Sequence, residues 1–321
     1  NVAMRKKPLL CGIFLMIFMM AFLSIGCTGN AKDSSSSSKG RSSQNHTDER
    51  RTTSQDCLLP EAPGTAVYGN DAVSIDASNS SEGYVMICYN GSIDKVKLQI
   101  TTPDQTTYTY NLALGSYETF PLQGGNGTYD IKILEHAYDD KYSVLFTQKL
   151  DVTITDEFKP FLYPNQYVWF EQNYSAVSFA KTLSEDSSND LDYVEQVYLY
   201  VIGNITYDEE LAETVTSGYL PNIDNTMRTK KGICFDYASL MAAMLRSQNI
   251  PTRLVVGYSG DAYHAWISVY LDEIGWVDGI IQFDGKSWSL MDPTLGANNS
   301  SSSVKKYVGD GSNYTVKYFY Y

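Results

Sequence analysis

The spacing of apolar residues changes once along this chain, and that change limits what the chain can fold into. From about residue 58 to residue 156 apolar side chains recur at every second position. Val96, Leu98 and Ile100 alternate with Lys95, Lys97 and Gln99, and the sets Tyr129, Ile131, Ile133 and Leu150, Val152, Ile154 repeat the pattern. A period of two turns one face of a strand inward and leaves the other in water. Gly124, Gly125 and Gly127 supply turn glycines between two such runs. Short strands separated by turns predict a small antiparallel sandwich over 58–156, a spacer or binding module without a reactive cluster. After FKPFLYPNQY the period lengthens. Val194, Val197, Tyr198, Val201 and Ile202 fall at i, i+3, i+4, i+7 and i+8, the apolar stripe of a helix. Residues 187–190 offer its N-cap, and Gly203 and Asn204 its end. Tyr237, Leu240, Met241, Met244 and Leu245 repeat the stripe in a second helix that Pro251 stops. TRLVVGY, HAWISVYL and KSWSLMDPT then read as strands, and the chain closes on YTVKYFYY. Helices followed by strands predict an α+β layer over 157–321, not a doubly wound sheet.

The first 27 residues carry a different message. Arg5, Lys6 and Lys7 precede an uncharged apolar run that closes on Leu23-Ser24-Ile25-Gly26-Cys27. This resembles a bacterial lipoprotein signal, 1–27, in which Cys27 takes the lipid; an uncleaved anchor helix is the other reading, because the run is about long enough to span a bilayer. Both put the remainder outside the cytoplasm, held at the cell membrane. Residues 28–57 are serine-rich with almost no apolar side chains, which predicts a disordered tether.

Charge and histidine content exclude other classes. The 24 basic and 37 acidic residues give a net charge of −13, which argues against nucleic acid as the main partner. His46, His136 and His264 are the three histidines; none has a second histidine or a cysteine at metal-ligand spacing, and no calcium-loop pattern occurs, so no metal or cofactor is expected. Without a repeat or heptad pattern, a monomer is the expected state.

The second helix opens on Gly232-Ile233-Cys234, which puts a thiol in its first turn. Unpaired N–H groups and the helix dipole there favour a thiolate, and Asp236 suggests an exposed helix start. A thiolate acting on a carbonyl needs a proton partner, and His264, opening the strand HAWISVYL, is the histidine available in this region. A carboxylate normally orients such an imidazole, and Asp292 in WSLMDPT could face His264 from a neighbouring strand.

Together GICFDYASLMAAMLRSQNIPTRLVVGY, YHAWISVY and WSLMDPT resemble the bacterial transglutaminase-like domains, over roughly residues 193–294. Asn249 stands where that pattern usually has glycine, and asparagine tolerates the left-handed conformation of a helix end. The resemblance implies a papain-like α+β core of helices packed on an antiparallel sheet. It implies Cys234 as nucleophile, His264 as general base and acid, and Asp292 as the residue that orients the imidazole. Trp266 and Tyr258 match positions that line or support the site, and Asp236 belongs to the motif at the helix start. The reaction implied is attack on amide or peptide bonds of peptides or surface proteins through a thioester, resolved by an amine or by water. The alternative is an inactive scaffold whose tyrosine-rich sandwich binds a surface partner. Cys57 and Cys88 could form a disulfide pinning the tether to the sandwich, or could both be free.

Overall fold

The computed structural model of the protein describes residues 50–259, 262–283, 288–290 and 314–320. The N-terminal apolar run and Cys27 lie outside the described residues. The described residues form one compact unit.

The alternating region folds as two four-stranded antiparallel sheets. One contains β1 (Val67–Gly69), β2 (Val73–Asp76), β3 (Tyr84–Tyr89) and β6 (Tyr117–Pro121), in that order. The other has the order β5-β4-β7-β8, built from β4 (Val96–Thr101), β5 (Thr107–Leu112), β7 (Gly127–Tyr138) and β8 (Lys141–Val152). Val96, Leu98 and Ile100 are buried while Lys97, Gln99 and Thr101 are not, as the period of two requires. They share one core with Ile75, Ile87, Phe120, Tyr129, Ile131 and Ile133. At the turn before β7, the Tyr129 hydroxyl donates to the Gly125 carbonyl (2.7 Å) and accepts from the Gly124 N–H (2.9 Å).

The second region carries α1 (Ser175–Asp186), α2 (Asp190–Asn204), α3 (Glu209–Thr214), α4 (Ile223–Thr229) and α5 (Cys234–Arg246). A five-stranded antiparallel sheet follows, in the order β14-β13-β12-β11-β15, from β11 (Thr252–Ser259), β12 (Ala262–Leu271), β13 (Gly275–Phe283), β14 (Trp288–Leu290) and β15 (Tyr314–Tyr320). A two-residue parallel pair, β9 (Thr206–Tyr207) with β10 (Lys231–Gly232), closes the helical layer. Helix α5 is the centre of this core: Leu240, Met241, Met244 and Leu245 are fully buried against Val194, Val197 and Val201 of α2 and Leu254, Val256, Ile267 and Val269 of β11 and β12. Burial of each such side chain contributes about 1.5–3 kcal/mol. The Tyr193 hydroxyl adds a hydrogen bond from α2 to the Met244 carbonyl of α5 (2.7 Å).

The α+β expectation holds, with helices packed on an antiparallel sheet and a β-sandwich before them. Asn189 caps α2 by accepting from the Asp192 N–H, and Asn249 ends α5 at φ 61°, both as the residue chemistry suggests. Helix α1 carries no long apolar stripe; its buried face is Ala176, Val177, Ala180 and Ser184, small residues that pack without announcing a period.

The tether differs from the expectation. Residues 50–57 are docked on the helical layer, not loose. The buried Arg51 guanidinium bonds the Asp190 carboxylate (2.6 Å), the Ser184 hydroxyl and the Gln248 carbonyl, and stacks over the Tyr193 ring. The Ser54 N–H donates to Gln248 Oε1 (2.9 Å), and the Cys57 N–H to Gln172 Oε1 (2.9 Å). One arginine with four partners outweighs the local polarity that made the stretch read as disordered. Cys57 therefore packs on the helical domain, while Cys88 is buried in β3 of the sandwich; both thiols are free.

Candidate active site

Three local interactions fix the start of α5. Ile233 is extended (φ −92°, ψ 177°) and has no side-chain oxygen with which to cap the helix. Asp236, one turn in, replaces it: its Oδ2 accepts from the Ile233 N–H (2.8 Å). Its Oδ1 accepts from the Tyr219 hydroxyl (2.7 Å). Asp236 is buried at 2 % exposure, so the helix start is not the open surface that an aspartate there suggests. Burial raises its pKa, and the two hydrogen bonds oppose the rise. Gly232 is required by this packing: a Cβ there would stand 2.6 Å from the Asp236 Cβ. The Gly-x-Cys-x-Asp pattern thus has a steric meaning, with the glycine making room for the carboxylate that caps the helix.

Cys234 occupies the first helical position and is 8 % exposed. Burial pushes its thiol up to about 11, against the pull of the Ala265, Phe235 and Cys234 N–H groups, while the Asp236 charge adds to the rise. The expectation of a lowered pKa is therefore corrected. The helix dipole is present, but desolvation outweighs it. The Ala265 amide acting on the sulfur sets the thiol beside β12, one residue from His264.

His264 lies in β12, paired with Gly257 of β11. Tyr258 lies in β11 opposite Tyr263, just past a register shift between Val256 and Gly257. Trp266 is half-buried and pairs with Val255. Asp292 lies outside the described residues. The short strand before it, β14, borders β13 and not β12, so the strands leading to His264 and Asp292 are separated by one strand and are not neighbours. The intervening strand, GWVDGIIQF, carries too mixed a pattern to be read as a strand from its spacing.

Two tyrosines join the site that sequence reasoning passed over. Tyr207, in the ITYD that follows α2, pairs with Gly232, and the Asp208 N–H donates to the Gly232 carbonyl (3.0 Å). Its ring lies 6.4 Å from that of Tyr237. Burial pushes the Tyr207 hydroxyl up to about 12; the Cys234 sulfur adds to the rise, and the Cys234 main-chain N–H works against it. The phenol thus stands beside both the sulfur and the amide of Cys234 and stays protonated at neutral pH. An aromatic residue between the end of α2 and the start of α5 was its only signal. Tyr219, held in a loop by its bond to Asp236, had none.

Residues 177–279 match the family model of the transglutaminase-like superfamily. The protein YebA of Bacillus subtilis, itself uncharacterised, is 32 % identical over 120 residues, 31 % of this chain and 16 % of its own. Mouse kyphoscoliosis peptidase is 28 % identical over 139 residues, 39 % of this chain and 19 % of its own. The chain thus spans less than a fifth of either. A structure from Cytophaga hutchinsonii, assigned as a cysteine protease, is 15 % identical with a TM-score of 0.33, over 72 % of this chain and 69 % of that one.

Proposed function

We propose that this chain, which holds a transglutaminase-like domain, is a thiol enzyme acting on amide or peptide bonds outside the cytoplasm, anchored by a lipid on Cys27. The observation that carries the proposal is the placement of Cys234 at the first position of α5, with its sulfur against the Ala265 amide of the strand that holds His264. A buried thiol with a raised pKa rests protonated, so attack needs a base at the moment of reaction. The His264 imidazole takes the thiol proton as the sulfur bonds to the amide carbon. The tetrahedral oxyanion is held by the Cys234 main-chain N–H and the Tyr207 hydroxyl beside it. As the C–N bond breaks, the imidazolium returns the proton to the leaving amine and a thioester remains. Water or a primary amine, deprotonated by the same imidazole, then attacks the thioester and frees the sulfur. Asp292 orients the imidazole in this reading.

The test uses the full chain in detergent with a casein substrate, following both new amino termini and incorporation of a labelled primary amine. Wild type should give one or both signals, Cys234→Ala neither, and Tyr207→Phe a turnover about 10²-fold lower. Activity that survives in Cys234→Ala would sink the proposal. Growth with labelled fatty acid should mark the wild type but not Cys234-intact Cys27→Ser chains; a marked variant would remove the anchor from this reading. One observation favours a scaffold without chemistry: the same burial that raises the Cys234 pKa also shields the sulfur. No signal from the wild type in either assay would favour that reading.

A further inference from the structure

The loop of residues 215–222, between α3 and α4, touches both domains. Most of it is exposed, Thr216, Ser217, Gly218 and Leu220 included. Two adjacent residues at its middle hold it. Tyr219 points inward and donates to Asp236 (2.7 Å), whose other oxygen caps the Ile233 N–H (2.8 Å) immediately before Cys234. Gly218, at φ +92°, lies so close to the sandwich that a Cβ would stand 2.7 Å from Asn111 Nδ2. Only glycine combines that backbone conformation with that approach. Asn111 is itself held in place on the edge strand β5. Its carbonyl accepts from Gln166 Nε2 (2.7 Å), which also donates to Glu118 Oε1 (2.9 Å), and Glu118 Oε2 accepts from the Ala113 N–H (2.7 Å). The sandwich therefore offers a braced surface, and the loop rests on it.

We propose that the sandwich is a positioning element of the thiol site: through Asn111 and the 215–222 loop it holds Tyr219 on Asp236, and so fixes the N-terminus of α5. The inference rests on the reading of Cys234 as nucleophile and deepens it, giving the sandwich a part in the same site. A separate aromatic row, Tyr110–Tyr167–Phe235, with ring centroids 5.7 Å apart at each step, joins the two domains independently. Loosening the loop should therefore leave the domains together. Asn111 is exposed, so its replacement removes the contact without opening a core.

The experiment is amide hydrogen exchange of the full chain in detergent, read on the peptide that contains Ile233 and Cys234. Asn111→Ala, Asn111→Leu, Tyr219→Phe and the Asn111→Ala/Tyr219→Phe double variant are compared, with iodoacetamide alkylation of Cys234 alongside. Asn111→Ala and Tyr219→Phe should each speed exchange of that peptide several-fold and change the alkylation rate. The double variant should match Tyr219→Phe alone, because both act on one bond. Asn111→Leu, of the same branched shape, should restore wild-type exchange. Peptides from α2 and from β4 should be unchanged. Wild-type exchange in Asn111→Ala beside faster exchange in Tyr219→Phe would overturn the proposal, as would faster exchange throughout the molecule, which would mark Asn111 as general structural support. Exchange does not require the sulfur to react. Activity that survived in Cys234→Ala would thus refute the proposed function without touching this result.

Discussion

At Cys234 two physical effects oppose each other. Free N–H groups in the first turn of a helix stabilise a thiolate, typically by enough to bring a cysteine into the range of about 3.5–7.5. Burial at 8 % exposure removes the water that would solvate the charge, and here the thiol rises to about 11. Thiol alkylation followed against pH, with Cys57 and Cys88 replaced by serine, should therefore climb about tenfold per pH unit from neutrality and level off only near the raised value, since the thiolate is the reactive form. A plateau below the pKa of an ordinary cysteine would mean that a preformed thiolate–imidazolium pair dominates instead. The same shift bears on stability. Above the unfolded-state value of 9.0 an unfolded chain releases a proton that the folded chain keeps, so the contribution is complete below that pH and is lost as pH rises toward the folded value. The phenols of Tyr207 and Tyr237, each pushed up to about 12 by burial, act in the same direction at higher pH. The place of Cys234 at the start of a helix was legible in the sequence, because helical periodicity is a matter of spacing. Its ionisation was not, because burial depends on what β12 brings against it from a distant part of the chain.

Among the elements, α5 does most to organise the site, and its first turn depends on the fit between Gly232 and Asp236. Adding a methyl at Gly232 places a carbon 2.6 Å from the Asp236 Cβ, and backbone and side chain cannot both stay where they are. Gly232→Ala should lower stability by about 1–3 kcal/mol in urea unfolding; an unchanged midpoint would show that Asp236 can shift without cost. Helices α2 and α5 were readable because long apolar side chains recur on one face of each. Helices α1, α3 and α4 were not, since α1 buries small residues and the other two span only six and seven residues. Strand β13 escaped for a related reason: Gly275 and Gly279 interrupt GWVDGIIQF, and its pairing partners on both sides decide its state.

At the scale of the whole molecule, the domain order along the chain is not the order of packing. Residues 50–57 dock on the helical layer before the chain enters the sandwich, and the segment after the sandwich returns to the same layer. There the fully buried Arg246 donates to the Tyr163 carbonyl (2.8 Å) and, twice, to the Thr252 carbonyl (2.9 and 2.7 Å). Burial lowers the Arg246 pKa to about 9, which still leaves it charged at neutral pH. The presence of two separate hydrophobic cores was visible in the change of period, but this return contact was not. It rests on Arg51 and Arg246, and nothing local distinguishes them from surface arginines. Arg51→Ala removes the guanidinium that holds the segment to Asp190, Ser184 and Gln248, and should cost about 1–3 kcal/mol. Limited proteolysis should then cut the chain between residues 50 and 57, where the wild type resists; equal resistance would mean that Ser54 and Cys57 suffice.

The position of Arg51 also decides where a mechanical load would be felt. If the chain is tethered at its N-terminus, tension drawn along residues 28–49 reaches Arg51 before it reaches any strand of the sandwich. The guanidinium passes that force to α1, α2 and the end of α5, which are packed as one block. The sandwich, and the Asn111 surface beside the 215–222 loop, lie beyond this point along the chain, so such a load would enter through the block that carries α5 before it reached the sandwich.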